Sequence, residues 1–250
     1  MNGFRARMAR ASSRKGRIIL ANDLDDVDVK SLKKKTISNI RALGRNVCAL
    51  KLNFHVILPL DKGSLLAINR SAHKEGLQTI ADIKLNDIGN TNMMALRRLW
   101  DCGFDAVIAN PIMGPENLAE LVTSAHRKGR GVITLVHMSH PGAKIGYGLE
   151  IKDPRSGRTR KLHDLFLDWS YSSGVDGIVV GATVPEIISY ARKKVGDRCD
   201  IYSPGVGTQG GDAKAALEAG SSYLIVGRTI LRSKNPVSTA ENLRQLSLES

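Results

Sequence analysis

The stretch GVDGIVVGATVPEIISYARKKV, residues 174–195, decides the fold class. Its first part is a continuous apolar run, Ile178-Val179-Val180, with no polar residue to mark a solvent face. Strands of a parallel sheet, buried on both faces, are written this way. Thr183 followed three residues later by Glu186 is a capping-box pattern, and Pro185 stands early in a helix, where its missing N–H costs nothing. A helix is expected over 184–195. The segment is therefore one strand–loop–helix unit.

Working outward, the same unit recurs. Short apolar, β-branched runs place strands at Arg17–Asn22, Val47–Leu52, Gln78–Lys84, Ala106–Ala109, Gly131–Val136, Gly177–Val180, Asp200–Ser203 and Tyr223–Val226. Helices are expected between them near 28–43, 64–75, 90–102, 115–128, 161–173, 184–195, 212–219 and 236–247. Asp212 is the N-cap of the seventh, and Gly220 follows its end as a left-handed stop. Eight units in about 230 residues is the count of a closed (β/α)8 TIM barrel, a single α/β domain over 17–250. A doubly wound open sheet is the competitor, and no GxGxxG follows the first strand to support its dinucleotide-binding form. Residues 139–161, rich in Gly, Pro and charge, are too long for a plain connection and are expected to form an active-site lid.

Composition removes other classes. The 250 residues are 42% hydrophobic, enough to fill a core. No apolar run approaches the roughly 18 to 20 residues that cross a bilayer, so no membrane role is expected. Cys48, Cys102 and Cys199 lie far apart without a CxxC pair, which argues against a disulfide framework or zinc ribbon and for a reducing cytoplasm. The net charge of +13 is concentrated. Residues 1–17 hold Arg5, Arg7, Arg10, Arg14, Lys15 and Arg17 with no acid, and residues 152–161 hold Lys152, Arg155, Arg158, Arg160 and Lys161 against Asp153. With only 4% aromatics, this pattern argues against nucleic acid and for a small anionic substrate. Residues 1–16 are expected to be a flexible basic tail. An organellar transit peptide is the alternative, and the absence of an apolar segment excludes a secretory signal.

In a barrel the chemistry sits where strands end. Asp23 follows the first strand, Lys51 lies on the second, Asp82 and Lys84 lie on the third, and Asp87 follows in its loop. Asp82 and Lys84 are two apart and so share the interior face. With Lys51 and Asp87 they form an alternating tetrad of zero net charge, since a buried ammonium requires carboxylates nearby. A solvated salt-bridge cluster at the rim is the alternative. Gly205-Val206-Gly207-Thr208-Gln209-Gly210-Gly211 ahead of the seventh helix, with Gly227-Arg228 after the eighth strand, is the pattern of a phosphate site.

These residues also carry a family resemblance. Asp82-Ile83-Lys84-Leu85-Asn86-Asp87-Ile88-Gly89-Asn90-Thr91 resembles the DxKxxDIxxT signature of the orotidine 5′-phosphate decarboxylases. Ser139-His140-Pro141-Gly142 is similar to that family's lid start, Ser203-Pro204-Gly205-Val206-Gly207 with Gln209-Gly210-Gly211 to its phosphate loop, and Ile225-Val226-Gly227-Arg228 to its closing VGR. The compact loops resemble the archaeal type, apart from the basic N-terminus and an apparent insertion at 149–161. The resemblance implies cofactor-free, metal-free decarboxylation of orotidine 5′-monophosphate to UMP, the last step of pyrimidine nucleotide synthesis. Lys84 would protonate C6, Asp82 would face the departing carboxylate, and Lys51 and Asp87 would complete the tetrad. Asp23, Lys51 and Thr91 would contact the ribose, Ser139 the pyrimidine, and Gln209, Gly227 and Arg228 the 5′-phosphate. Ile88, Pro204, Gly205 and Val206 complete the implied substrate-binding set. Asp87 and Thr91 would reach into a partner's site, which implies a homodimer.

Two rivals follow. Sister enzymes on this barrel, 3-keto-gulonate-6-phosphate decarboxylase and hexulose-phosphate synthase, share Asp-x-Lys-x-x-Asp but use magnesium held at the ends of strands 2 and 3, where this chain has the cation Lys51. A non-catalytic phosphate- or nucleic-acid-binding barrel is the other, and an intact tetrad opposes it.

Overall fold

The computed structural model describes residues 3–25, 28–153 and 156–249. Arg155, one of the cations counted in the basic segment, lies outside them. Eight parallel strands close into a barrel: β1 (Ile18–Ala21), β2 (Ala49–Asn53), β3 (Gln78–Leu85), β4 (Ala106–Ala109), β5 (Gly131–His137), β6 (Gly177–Val180), β7 (Asp200–Pro204) and β8 (Tyr223–Val226). Each pairs with its sequence neighbours. Ile19 closes the ring by lying opposite Ala49 of β2 on one side and Ile225 of β8 on the other. The expected strands and fold class are thus observed.

Alternation along each strand sorts the core into two parts. Ile18, Leu20, Leu50, Leu52, Val107 and Ile178 point outward and pack under the helices. Ile19, Ala49, Ile80, Ile133, Tyr202 and Ile225 point inward and fill the barrel. Both sets are buried, which explains why the strands read as largely apolar runs.

The floor of the barrel overturns one expectation. Residues 4–15 are not a flexible tail but a helix, Phe4–Lys15, whose Phe4, Met8 and Ala11 are buried in the barrel-interior cluster. That spacing is one helical face. Gly131 opens β5 because a Cβ there would lie 2.3 Å from Cδ1 of Phe4. The cations are tied down as well. Arg5 donates to Asp200 at 3.1 Å and to the carbonyls of Asp197 and Arg198. Arg7 donates to Gln78 and to the Gly129 carbonyl, and Lys15 to the Gly44 carbonyl. Charge alone suggested solvation; the apolar stripe between the arginines is what docks the helix.

The helix ends match expectation at Asp212 and Gly220 and depart from it at Thr183. Asp212 accepts from the Ala215 N–H at 2.6 Å, and Gly220 stands at φ +106. The Thr183–Glu186 capping box does not form. Val184 is the N-cap, and the Thr183 hydroxyl instead donates to the Ser139 carbonyl at 3.1 Å, because the β5 and β6 ends lie side by side. After β5 the chain has structure of its own: a short helix, Ala143–Gly146, and an antiparallel hairpin, Glu150–Lys152 with Thr159–Lys161. Arg160 fastens the hairpin by bridging buried Asp153 at 3.3 Å and Asp168 at 2.6 Å. Among the described residues no helix is long and apolar enough to cross a membrane.

Candidate active site

The cleft opens at the C-terminal ends of the strands. Parallel pairing of β2 with β3 sets Asn53 opposite Asp82, so the side chain of Lys51 and that of Asp82 converge inside the mouth. Lys51 Nζ is 2.8 Å from Asp82 Oδ2 and 3.7 Å from Asp23 Oδ1, and it donates to Asn53 Oδ1. Lys84 Nζ is 2.8 Å from Asp82 Oδ1. Asp82 therefore has one ammonium on each oxygen. Burial pushes its pKa up, but the facing Lys51 and Lys84 outweigh that and hold it below the usual carboxylate range. Removing either cation would leave a buried charge poorly compensated.

Lys84 reaches this position through an irregular backbone. Pairing of β3 with β4 shifts register between Ala81 and Leu85, and Lys84 has φ +49, unique among described non-glycine residues. A bulge of this kind re-aims a side chain at a strand end, and such conformations persist where the surroundings enforce them.

The opposite rim is the glycine loop. Pro204 ends β7, and Gly205, Gly207 and Gly210 all have positive φ. Gly205 packs so closely on Ser139 that a Cβ would lie 2.6 Å from the serine Cβ. Ser139 Oγ donates to Gln209 Oε1 at 2.5 Å, which links the start of the lid to the loop. Gly227 lies tight against Ala21 of β1, and exposed Arg228 follows it. Val206, Gln209, Gly227 and Arg228 all line the cleft with Ser139 and Pro204. Two ammoniums and a guanidinium around this space suit a polyanionic ligand.

Three expected residues stand elsewhere. Asp87, Ile88 and Thr91 are exposed and do not line the cleft of this chain. Asp87 Oδ1 accepts from the Ile88 N–H at 2.7 Å, and Asn92 exchanges hydrogen bonds with the Asp87 backbone. Phe54, Leu58, Ile88, Met94 and Ile112 are exposed apolar residues on the segments after β2, β3 and β4. Conversely, Asn53 and Thr229 line the cleft without being among the expected residues, and His140 and Thr208, which fall inside the lid-start and glycine-loop motifs, line it with no role expected of them. Asn53 was within reach, being two residues from Lys51 on the same strand face. Thr229 carries no local pattern that marks it. No group of three or more His, Cys, Asp or Glu with metal-holding geometry occurs among the described residues.

Comparison with known proteins agrees with this geometry. The sequence profile of the Orotidine 5′-phosphate decarboxylase / HUMPS family matches residues 16–243. Orotidine 5′-phosphate decarboxylase of Pyrococcus abyssi is 34% identical over 227 residues, 90% of this chain and 96% of the relative. That of Thermococcus kodakarensis is 34% identical over 234 residues, 93% of this chain and 97% of the relative. Among solved structures, the Methanocaldococcus jannaschii orotidine 5′-monophosphate decarboxylase complexed with the inhibitor BMP superposes with a TM-score of 0.76 at 25% identity, covering 92% of this chain and 97% of that one. On this match over nearly its whole length, the chain belongs to the orotidine 5′-phosphate decarboxylase / HUMPS family.

Proposed function

We propose that the chain decarboxylates orotidine 5′-monophosphate to UMP without a cofactor, and that it does so as a homodimer with shared sites. The observation that carries this is buried Asp82 held between Lys51 and Lys84, with an anion cradle across the same cleft. In the reaction the bond from C6 to the carboxylate breaks, carbon dioxide leaves, and the electron pair stays on C6. The ammonium of Lys84 stabilises that developing charge and then delivers its proton to C6. Asp82, kept ionised by its two cations, faces the departing carboxylate, so the substrate carboxylate is destabilised relative to neutral carbon dioxide. Fixed charge aimed at where charge develops is the largest single contribution such a site can make. Gln209, Gly227 and Arg228 hold the 5′-phosphate, remote from the bond that breaks, and its binding favours closure of the lid segment that the Ser139–Gln209 bond already ties to the loop. Asp23 and Lys51 take the ribose.

Asp87, Ile88 and Thr91 act on the neighbouring copy's cleft. Exposed Phe54 and Leu58 follow β2 and exposed Met94 follows β3, apolar surface of the kind that marks protein contacts, and a second copy covers it. The rival metal-dependent reaction of the sister enzymes is disfavoured by Lys51, whose ammonium sits between Asp23 and Asp82 where a cation would have to bind. The three cysteines are free and buried, and we place the enzyme in the cytoplasm.

The test is the loss of orotate-ring absorbance on adding the chain to orotidine 5′-monophosphate, with and without excess EDTA. Equal turnover in both is expected. No turnover, or turnover only with magnesium, overturns the assignment.

A further inference from the structure

The two walls that would hold the phosphate come from different strands. One is the loop at 205–211 after β7, and the other is Gly227-Arg228 after β8. Pairing of β7 with β8 sets Pro204 opposite Ile225 and so brings the starts of the two walls together. Beyond that pair the hydroxyl of Thr229 ties them. Thr229 Oγ1 donates to the Val206 carbonyl at 2.9 Å, accepts from the Thr208 N–H at 3.2 Å, and lies 3.1 Å from Thr208 Oγ1. The loop passes so close that a Cβ at Gly207 would stand 2.6 Å from this oxygen. The tie fits because position 207, at φ +72, carries no side chain.

We infer that Thr229 is a positioning residue that holds the 205–211 loop in register with Arg228, presetting the cradle for a phosphomonoester dianion. This rests on the decarboxylase reading above, with the 5′-phosphate as the handle. The physical reason is the loop's composition. Backbone bonds from the Gly211 N–H to the Gly205 carbonyl and from the Gly207 N–H to the Gly211 carbonyl brace the loop internally but do not fix it to Arg228. With three glycines at positive φ that freedom remains, and any freedom lost on binding is subtracted from affinity. Because phosphate binding also drives closure, part of the loss passes into kcat/KM. A methyl in place of the oxygen leaves the Thr208 N–H without its acceptor, although the shape of the side chain is kept.

Thr229→Val and Thr229→Ser in the full chain test this. The valine variant is expected to raise KM for orotidine 5′-monophosphate and weaken UMP binding, read by calorimetry, by about tenfold each, the scale of one to two neutral hydrogen bonds. Its kcat should fall by less than KM rises, and its defect on phosphate-free orotidine should be several-fold smaller than on the nucleotide. The serine variant, which keeps the oxygen, should stay within about twofold of wild type. Thr229→Ala repeats the measurement if valine lowers Tm. Wild-type KM and UMP affinity in the valine variant, equal damage by valine and serine, or equal loss on both substrates each overturn the inference. A wild-type chain inactive on orotidine 5′-monophosphate sinks the functional reading instead, and Thr229 is then judged by inorganic phosphate binding to wild type and the same variants.

Discussion

Lys84 Nζ lies 2.8 Å from Asp82 Oδ1, although the two residues are joined by a backbone that turns to φ +49 at the lysine. A regular strand would set both side chains on one face but parallel to each other. The bulge bends the lysine back over the carboxylate, so its side chain is about four-tenths exposed while the aspartate stays buried. The ammonium proposed as proton donor is accessible to a ligand, and the anion that holds it is shielded from water.

Lys84→Ala should remove both the proton donor and one of the two charges that keep Asp82 ionised. A loss of at least about 10³-fold in kcat is expected, the scale of one preorganised electrostatic group, with UMP still bound. Single-turnover assays beside UMP calorimetry check it, and near-normal turnover refutes the role.

Shared sites have their own signature. Lys84→Ala and Asp87→Ala should each be nearly inactive alone. Mixed and allowed to exchange, about half of the dimers become heterodimers, in which one cleft carries both lesions and the other neither. Recovery of roughly a quarter of wild-type activity per site is expected by the same pairing argument. No recovery, with exchange confirmed by native mass spectrometry, would mean that Asp87 does not serve the neighbouring copy.

Phe4→Ala tests the docked N-terminal helix. Phe4 is buried in the barrel floor, far from the cleft, and its truncation should cost about 3–5 kcal/mol of stability with kcat preserved below the melting range. Urea unfolding reads the difference. An unchanged midpoint would restore the flexible tail.

His126 gives stability a pH dependence. Its Nε2 pairs with Asp176 Oδ2 at 2.9 Å, and that hydrogen bond raises the His126 pKa above its ordinary value despite partial burial. A folded-state pKa above the unfolded one means the contribution is complete below about pH 6.5 and disappears as pH rises through the folded value. His126→Gln should therefore lower the urea midpoint most near pH 5.5 and least near pH 8.5, by this linkage. A difference that grows with pH contradicts the ion pair.

What the chain by itself determined is what repeats locally. Burial on both faces makes the strands largely apolar, so β1 to β8 stand out even with polar residues such as Asp82, Lys84 and Thr134 among them, and eight of them with helices between leave few closures but a barrel. Period-two spacing was enough to put Asp82 and Lys84 on one face, and glycine density marked the loop at 205–211. Tertiary structure decided which partner each polar group meets. Arg5 finds Asp200 and Arg7 finds Gln78, so a basic segment that reads as solvated becomes the barrel floor. Thr183 chooses the Ser139 carbonyl over its own helix, and Thr229 ties a loop more than twenty residues earlier in the chain. Asp87 follows the third strand as expected yet stands outside this chain's cleft. A hydrogen bond depends on proximity within about 3 Å, and proximity between distant segments exists only once the barrel has closed.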